Sequence, residues 1–513
     1  MPSETDYEFT KTLSDKELLG MRGHRLGLDS LISVDLRTWF MKALMVKMPV
    51  LRIMSDDTMA SLVQEAMIHL PSSLVPGVPA LITRSQNNGH GSNIHLGALT
   101  SRQSSNADVA TADSESLKQT RINWDFETAP PVPKSDLTLD LNRFPQLPPR
   151  VIVLTGATGF LGNHLLNEIL IRTPTSTRII CIAMRKLMTM GTENSLTLFR
   201  HDTLFSENLH RVSFYPGDLL EPQLGLTDDC CTSIFTEADA VIHNAADTSH
   251  MKPYGSIRQA NLGATTELVR LCLPRRIPFH FVPSPGVGLF ADNENMTLYP
   301  KQAPEMPQAP DHIGKACDTR LTDIESRGYM ASKWACERLL ERTNKDHGLP
   351  VWIHRPSTIL REGSDAEGER SSLDWLHGLA RYARILKAVP RITHVTGALD
   401  MVHVQTVCSI LVDSVLRSTK SESRSGVEYV HEVGDIVVPL DRLELLIPAL
   451  EAGRMNKDSG TLDSSSKGCK VVPMGEWVGK AIEAGLHPAV AMLIEKMDAP
   501  DSPAFPLLEK TLK

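Results

Sequence analysis

The sequence lacks a long apolar run and a start typical of an exported protein. No stretch reaches the roughly 18 consecutive apolar residues that span a bilayer, and the N-terminal MPSETDYEFTKTLSD has neither a basic start nor an apolar segment. We therefore expect a soluble, cytoplasmic protein that has no membrane partner.

Cysteine clusters and basic stripes are also missing. The eight cysteines are scattered and form no CxxC motif or Cys/His cluster with metal-ligand spacing, so we expect reduced thiols and no metal. The formal net charge is -8 and no Lys/Arg stripe occurs. Because nucleic-acid binding depends on clustered cations, we expect no nucleic-acid partner.

The length and composition indicate a globular protein of several domains. The chain has 513 residues, of which 41% are hydrophobic and 22% are charged, and a domain usually takes roughly 100 to 200 residues. Apolar periodicity stops between residues 71 and 146, where segments such as SRQSSNADVATADSES are too polar to bury. A disordered, flexible linker there lets a small domain swing towards a larger one, although an insertion without a function explains the composition equally well.

From residue 149 onward, short apolar runs alternate with amphipathic segments. Runs such as VIVLTG, RIICIAM and AVIHNAA are typical of buried parallel strands, and stretches such as GATTELVRLCL have apolar residues three and four apart, as helices do. The alternation predicts an α/β fold with a doubly wound parallel sheet. We predict four regions, which are a small, partial α-helical domain (1–70), the linker (71–146), a Rossmann domain (147–400) and a C-terminal subdomain (401–513).

The segment VIVLTGATGFLGNHLLNEIL is typical of a strand, a glycine-rich turn and a helix. In that context, Gly156 permits a tight turn, Gly159 lets the backbone approach a pyrophosphate, and Gly162 allows close packing. The start of the following helix presents N–H groups to the anion. The residues expected to bind a dinucleotide here are Gly156, Thr158, Gly159, Phe160 and Gly162.

The end of the next strand indicates which dinucleotide is bound. RIICIAM is followed by Arg185 and Lys186, where an NAD-binding protein usually has an acidic residue for the ribose. A guanidinium holds a 2′-phosphate through two parallel hydrogen bonds, so we predict NADPH as the cofactor. Further residues placed to line it are Asp218, Asn244, Ala245 and Ala246.

Tyr329 and Lys333, in GYMASKWACERLLE, are four residues apart and share one face of a predicted helix. An unperturbed tyrosine, with a pKa of about 10, is a poor proton donor or acceptor near neutrality, and an adjacent ammonium lowers the pKa of the phenol. Ser284, at a strand end in FVPSPGVG, is placed to hold the substrate oxygen as negative charge develops there. We predict that these three residues are catalytic and that Tyr329 and Lys333 also contact the cofactor.

Together, TGATGFLG, Arg185, HNAA, Ser284 and GYMASKW resemble the extended short-chain dehydrogenase family, and within it the thioester reductase branch. That branch supplies the terminal release domains of non-ribosomal peptide synthetases, fungal polyketide synthases and carboxylic acid reductases. The resemblance runs from about Trp124 to the C-terminus and includes INWDFETA and LDMVHVQTV. The tail VVPMGEWVGKAIEAGLHPAVAMLIEK resembles the substrate-side helical subdomain of that branch, which implies that the C-terminal subdomain (401–513) is substrate-binding.

The resemblance also implies roles for the predicted catalytic residues. Tyr329 would be the general acid, Lys333 would activate it and bind the nicotinamide ribose, and Ser284 would be the carbonyl partner. Pro283 and Pro285 depart from the family pattern, in which small or hydroxylated residues more often flank the serine.

Ser30 lies in LGLDSLISVDLRTWFMKAL, which resembles the second helix of an acyl carrier domain, particularly in fungal reducing polyketide synthases. In that family the serine receives phosphopantetheine, whereas the alternative is that Asp29 and Ser30 only cap a helix. Only 29 residues precede Ser30 and they show little helical periodicity, so we expect a partial, marginally stable carrier domain without its first helix. The reductase would then act on acyl groups brought by the carrier of a separate synthase.

These features predict an NADPH-dependent thioester reductase in secondary-metabolite biosynthesis. Its reaction would release a carrier-bound polyketide or peptidyl thioester as an aldehyde, with further reduction to the alcohol left open. We expect a monomer. Three other interpretations stay open from the sequence, which are a dehydrogenase or epimerase of free small molecules, a non-redox cyclising release domain, and a non-catalytic NADP-binding regulator.

Overall fold

The computed structural model describes much of the chain after residue 147 and several segments before it. The described residues are 15–21, 30–46, 48, 50–53, 58–70, 122–133, 143–146, 148–185, 207–249, 252, 254–284, 287, 328–360, 375–394, 398–417, 427–432, 434, 436–455, 468–496 and 498. Within these residues, no helix has both the length and the apolar content that crossing a bilayer requires.

A seven-stranded sheet forms the centre of the molecule, with the strand order β10-β6-β5-β4-β1-β2-β3. Every neighbouring pair in it is parallel, which confirms the predicted doubly wound parallel sheet. Its strands are β1 (Val151–Thr155), β2 (Arg178–Ile182), β3 (Val212–Phe214), β4 (Ala240–His243), β5 (Phe279–Phe281), β6 (Val351–Pro356) and β10 (Glu428–Glu432).

Helices cover both faces of this sheet, because successive strand side chains point to opposite sides. Val151 and Val153 pack into one core with α7, α9 and α10, whereas Ile152 and Leu154 pack into another with α6 and α12. The bounds of these helices are α6 (Phe160–Arg172), α7 (Asp228–Glu237), α9 (Ala264–Cys272), α10 (Gly328–His347) and α12 (Val404–Arg417). A short helix α8 (Tyr254–Arg258) and a π-helical turn (Gln259–Gly263) lead directly into α9.

The C-terminal subdomain has its own core, the C-terminal core. It contains a three-stranded sheet ordered β11-β9-β7 and a two-stranded sheet of β12 and β8, and Trp477 is fully buried there with its Nε1 donating to Ala388 O at 2.7 Å. Its elements are β7 (Thr358–Leu360), α11 (Trp375–Leu386), β8 (Ala388–Pro390), β9 (Ala398–His403), β11 (Ile436–Pro439), α13 (Leu446–Met455), β12 (Lys470–Val472), α14 (Met474–Glu483) and α15 (Pro488–Lys496).

The chain passes between the main sheet and the C-terminal core more than once, so the structure divides it differently from the predicted boundary at residue 400. α11 and β8 precede that boundary but pack in the C-terminal core. α12 and β10 follow it but return to the main sheet, where Tyr429 of β10 lies opposite Ile353 of β6.

The N-terminal region is helical and has its own small core. Its helices are α1 (Asp15–Gly20), α2 (Ser30–Ala43), α3 (Val50–Ile53) and α4 (Met59–Ile68). Phe40, Ile53 and Leu62 are buried together, whereas Met67 and Ile68 are 70% and 73% exposed. Such exposure of large apolar side chains suits a small bundle that buries little of its own surface; its identity as a carrier domain stays a prediction.

One part of the predicted linker packs firmly against the core on one face of the seven-stranded sheet. Helix α5 (Trp124–Glu127) buries Trp124, whose ring lies edge-on to Tyr254 at 5.0 Å and to Trp334 at 5.5 Å between centroids. The Glu127 carboxylate accepts from Arg258 Nε at 2.6 Å and from the Tyr254 hydroxyl at 3.2 Å. Residues 71–121 and 134–142, which make up most of the predicted linker, lie outside the described residues.

Candidate active site

The glycine turn after β1 leaves no room for side chains. Gly156 has a left-handed φ of 75°, and a Cβ atom there would lie 2.9 Å from the backbone of Ala245, at the end of β4. A Cβ atom on Gly162 would lie only 1.9 Å from Gly156 O. The turn closes through Gly159 N donating to Gly156 O at 2.9 Å. Glycine is therefore needed at both positions for the turn to pack closely against the end of β4 and the start of α6, and its binding of a dinucleotide stays a prediction.

The start of α6 faces this turn and offers an anion site. Gly159 is the N-cap residue and has no side chain with which to cap the helix, so the helix start can present N–H donors to a negative group. Phe160 is the first residue of α6, and Thr158 is half-buried beside Gly159. The glycine cradle and this donor set fit the pyrophosphate of a dinucleotide.

A buried polar network fixes the end of β4 next to the glycine turn. Thr155 Oγ1 accepts from Asn244 N at 3.2 Å and from Ala245 N at 3.0 Å. Thr155 Oγ1 also lies 2.8 Å from His243 Nδ1, and Nε2 of the same ring lies 3.1 Å from Thr265 Oγ1. Burial, followed by the charge of Lys333, lowers the pKa of His243 to about 3, so the ring is neutral at physiological pH.

Sequence reasoning did not identify Thr155, His243 or Thr265 as site residues. The available signal was a polar side chain at the last position of two otherwise apolar runs, VIVLT and AVIH. Asn244, Ala245 and Ala246, which the sequence did predict, follow directly and are all half-buried.

Three of the residues predicted to contact the dinucleotide come after β2 and β3. Arg185 is exposed and lies two residues after Ala183, which has a left-handed φ of 57°. Asp218 Oδ1 accepts from Leu220 N at 3.0 Å, so one of its oxygens makes a turn contact of the ordinary kind. Lys186 lies outside the described residues.

The three predicted catalytic residues come together beyond the end of β5. Tyr329 and Lys333 lie in the first turns of α10 and are both buried. Lys333 Nζ donates to Val282 O at 3.0 Å and lies 5.9 Å from the centre of the Tyr329 ring. Ser284 follows two residues after Val282, and its Oγ contacts Met330 Sδ at 3.8 Å. The structure thus places a phenol, an amine and a hydroxyl at one end of the sheet.

The direction of the Tyr329 pKa differs from the one that the Tyr/Lys spacing predicted. Burial raises the pKa of Tyr329 above its usual value, and the negative charge of Asp247 raises it further. Lys333 is buried as well: burial lowers its pKa to about 8, and its Nζ donates to Val282 O. Tyr329 is therefore protonated at physiological pH.

A buried ion pair and a buried hydrogen bond anchor the helix that carries Tyr329 and Lys333. Glu337, one turn after Lys333 and fully buried, accepts two hydrogen bonds from Arg355 of β6, one of them from Nε at 3.0 Å. Glu341, one turn further on, accepts from the Tyr429 hydroxyl of β10. These pairs fix α10 against the sheet. The sequence signal was the i, i+4, i+8 spacing of Lys333 and the two glutamates.

Ser30, the predicted attachment residue, is the first residue of α2. Its side chain lies outside the part of the chain that the structure describes.

Comparison with known proteins identifies the family of this chain. A family model for an NAD-binding family, described as Male sterility protein, matches residues 154–411. The highly reducing polyketide synthase bet1 of Neocamarosporium betae is 39% identical over 512 residues, which cover 96% of this chain and 16% of that protein. The polyketide synthase-nonribosomal peptide synthetase ACE1 of Pyricularia oryzae is 34% identical over 86% of this chain and 10% of its own length. The chain therefore spans only a small part of these curated relatives.

Two solved structures share the fold. The terminal R domain from the myxalamid PKS-NRPS biosynthetic pathway has a TM-score of 0.51 and 24% identity, covering 74% of this chain and 86% of that one. The reductase domain of a nonribosomal peptide synthetase from Mycobacterium tuberculosis has a TM-score of 0.50 and 22% identity, covering 74% and 85%. The predicted resemblance to synthase reductase domains is thereby confirmed, and because the family model spans half of the sequence, the chain belongs to the NAD-binding male sterility protein family.

Proposed function

We propose that this chain is an oxidoreductase that uses NADPH to release a carrier-bound acyl thioester as an aldehyde. One observation carries the proposal: the glycine turn after β1 and the Tyr329–Lys333 pair lie at the carboxyl ends of neighbouring strands β1, β4 and β5. Ligands of open α/β sheets bind at that edge. A cofactor in the glycine cradle would extend along this edge towards the phenol and the amine.

The chemistry follows from the groups at this edge. When bound, NADPH supplies a hydride to the carbonyl carbon of the thioester. The Tyr329 hydroxyl gives its proton to the carbonyl oxygen as that oxygen gains negative charge, and Ser284 Oγ–H donates a hydrogen bond to the same oxygen. The product is a hemithioacetal, whose C–S bond breaks as its hydroxyl loses a proton. The net change is thioester, NADPH and a proton to aldehyde, thiol and NADP⁺.

Lys333 and the anchored helix prepare Tyr329 for this role. With a pKa of about 8, Lys333 is mostly charged near neutrality, and its ammonium group stabilises the phenolate that remains after proton transfer. The resemblance to short-chain dehydrogenases implies that Lys333 also contacts the nicotinamide ribose. Because Glu337 and Arg355 fix α10 to β6, the pair keeps its position when substrate binds, and positioning of this kind supplies much of the rate enhancement.

The exposed Arg185 supports NADPH rather than NADH, since a guanidinium suits a 2′-phosphate. Asp218, Asn244, Ala245 and Ala246 are proposed to line the cofactor between its two ends.

The thioester partner is proposed to be an acyl carrier of a polyketide or peptide synthase. Ser30 begins helix α2, and in the carrier family that this segment resembles, the serine at that helix start receives phosphopantetheine. Treatment of the full chain with a phosphopantetheinyl transferase and coenzyme A tests this directly by intact-mass spectrometry. An unchanged mass would assign carrier delivery to another protein and would leave the reductase proposal standing.

A turnover assay tests the reductase proposal. The full chain is incubated with NADPH and an acyl-pantetheine thioester, and reduced nicotinamide, free thiol and aldehyde are followed together. We expect one thiol and one aldehyde for each NADPH oxidised, with alcohol appearing only if a second hydride is transferred. The Tyr329→Phe variant should bind NADPH but lose turnover by about 10²- to 10⁴-fold. Absence of NADPH oxidation and of aldehyde in the unmodified chain would refute the proposal.

A further inference from the structure

Helix α5 lies outside the residues that the family model matches, yet it packs against the helix of the predicted catalytic pair. The matched region begins at residue 154, whereas α5 ends at Glu127. The side chain of Trp124 is buried in the core that also contains Trp334 of α10, and Trp334 directly follows Lys333 in sequence. A segment that precedes the first strand of the sheet therefore reaches the part of α10 that carries the catalytic pair.

Aromatic packing holds Trp334 in place. The rings of Trp124 and Trp334 lie edge-on, with 5.5 Å between their centroids and an interplanar angle of 84°, and an aromatic pair of this geometry is favourable beyond the area that it buries. Within the part of the chain that the structure describes, Nε1 of the buried Trp334 has no hydrogen-bonding partner. The orientation of Trp334 therefore depends on the side chains that pack against its ring.

A cation of α10 binds the C-terminal end of α5. Arg342 Nη1 donates to Asp125 O at 2.8 Å and to Thr128 Oγ1 at 3.0 Å. The buried Thr128 hydroxyl donates in turn to Trp124 O at 2.8 Å. Because Arg342 comes about two helical turns after Trp334, α5 contacts α10 at two separate points.

α5 also contacts α8, the short helix that leads into the π-helical turn. Tyr254 packs edge-on against Trp124, and its hydroxyl donates to Glu127, which also accepts from Arg258. The Glu127 side chain is only 16% exposed, so salt screens this ion pair less than one on the surface. α5 thus bridges α8 and α10 through the aromatic cluster of Trp124, Tyr254 and Trp334 and through hydrogen bonds to each helix.

α8 has its own connection to the start of α10. It leads directly into the π-helical turn, where Asn261 Nδ2 donates to Ser332 Oγ at 2.9 Å. Ser332 Oγ donates to the carbonyl of Tyr329 at 2.7 Å. A displacement of α8 would therefore also disturb a contact of the first turn of α10.

We infer that α5 is a positioning segment of the reductase, with Trp124 as its positioning residue. By bridging α8 and α10, it holds the first turns of α10, and with them Tyr329 and Lys333, at the cofactor edge of the sheet. The inference rests on the proposed function, in which these two side chains act on the substrate carbonyl. Position matters there because a misplacement of about 1 Å at the reacting groups costs about 100-fold in rate.

The other anchors of α10 act further along the helix. Glu337 and Glu341 bind side chains of β6 and β10, and both glutamates come after the catalytic pair in sequence. Trp124 instead packs at Trp334, in the second turn of α10. Loss of the Trp124 ring should therefore loosen the start of the helix while its middle stays attached to the sheet.

Two variants of the full chain form a matched pair. Trp124→Ala removes the aromatic contact, whereas Phe126→Ala changes a 76% exposed side chain of the same helix. At a temperature at which circular dichroism shows both variants folded, we expect kcat for an acyl-pantetheine thioester to fall about tenfold or more in Trp124→Ala and to stay unchanged in Phe126→Ala. The Kd for NADPH should change much less than kcat, because the glycine turn and α6 pack in the core on the other face of the sheet.

Hydrogen exchange followed by mass spectrometry examines the helix without the reaction. In the expected result, Trp124→Ala speeds exchange in α8 and in the first turns of α10 more than in α6, and Phe126→Ala changes none of the three. A general loss of stability would instead speed exchange in all of them alike. Uniform or unchanged exchange, an unchanged kcat, or equal losses of kcat and of NADPH affinity in Trp124→Ala would each overturn the inference.

A second variant covers the case in which Trp124→Ala does not fold. Arg342→Met keeps most of the side-chain stem and removes the two hydrogen bonds to α5. The same local increase in exchange and a fall in kcat are expected, and the absence of either would refute the inference.

The thioester assay separates this inference from the proposed function. If the unmodified chain reduces thioesters and Trp124→Ala is as active as Phe126→Ala, the inference fails and the proposed function stands. If the unmodified chain reduces no thioester, the proposed function fails, and the exchange measurement alone decides whether α5 positions the start of α10.

Discussion

Replacing Gly162 with alanine should weaken cofactor binding strongly while the chain stays folded, and the structure gives the size of the steric clash. The new Cβ atom would lie 1.9 Å from Gly156 O, 2.6 Å from Gly156 C and 3.0 Å from Ala157 Cα. All three obstacles are backbone atoms, so no side-chain rotation can relieve the contact. Because Cβ atoms stay at least 3.0 Å from other heavy atoms, the turn and α6 must move apart by more than 1 Å.

This displacement has two expected consequences. Overpacking of this kind destabilises a fold by about 1–3 kcal/mol, and a misplacement of about 1 Å at a ligand site costs about 100-fold. We therefore expect Gly162→Ala to remain folded. Its free energy of unfolding in a urea titration should be about 1–3 kcal/mol lower than that of the unmodified chain, and it should bind NADPH about 100-fold more weakly in a fluorescence titration.

A second glycine provides the control. Gly479 lies on the exposed face of α14, and a Cβ atom there would meet nothing within 4 Å. Gly479→Ala should leave NADPH affinity unchanged and stabilise the helix by up to about 1 kcal/mol. If Gly162→Ala bound NADPH as tightly as the unmodified chain and unfolded at the same urea concentration, the assignment of the glycine turn as the cofactor cradle would be wrong.

Three further predictions concern the amine, the packed segment before β1 and the basic residue after β2. Turnover should fall as pH rises through about 8, because burial lowers the pKa of Lys333 to that value and the charged form is lost above it. A profile of kcat against pH measures this. A kcat that stays unchanged up to a pH of roughly 10, near the ordinary pKa of lysine, would contradict the prediction. Trp124→Ala should destabilise the fold by about 3–5 kcal/mol in urea titrations, whereas Phe126→Ala, at a 76% exposed position of the same helix, should change stability by about 0.5 kcal/mol or less; equal effects would argue against the packing of α5. Arg185→Glu should lower the ratio of kcat/KM for NADPH to that for NADH by about tenfold or more, since an acidic side chain repels a 2′-phosphate, and an unaltered ratio would remove Arg185 from the cofactor site.

The sheet and the glycine turn could be predicted because their signals are local. Each apolar run in the first half of the reductase became a strand of the sheet, and the glycine spacing needs only adjacent residues to be interpreted. β10 could not be found this way, since EYVHE contains two glutamates and a histidine. Glu432 is completely buried there, and its Oε1 lies 2.9 Å from Nδ1 of His354 in β6. This hydrogen-bonding partner, which makes the burial tolerable, is 78 residues distant in sequence. The passage of the chain between the main sheet and the C-terminal core could not be predicted either, because it also depends on contacts between residues that are distant in sequence.

The site depends on polar residues that an apolar pattern treats as interruptions. Thr155, His243 and Thr265 each lie in a buried segment, and a buried polar group costs free energy unless it is hydrogen-bonded. Here each one supplies the partner of another, so that the ends of β1 and β4 are tied to the start of α9. The position of Asn261 one turn before Thr265 extends this network to Ser332 and so to the backbone of Tyr329. A network that is fully paired is rigid, and only the folded chain reveals it, because its members come from five separate elements. The position of Tyr329 at the sheet edge is therefore fixed by partners distant in sequence, which the spacing of Tyr329 and Lys333 could not predict.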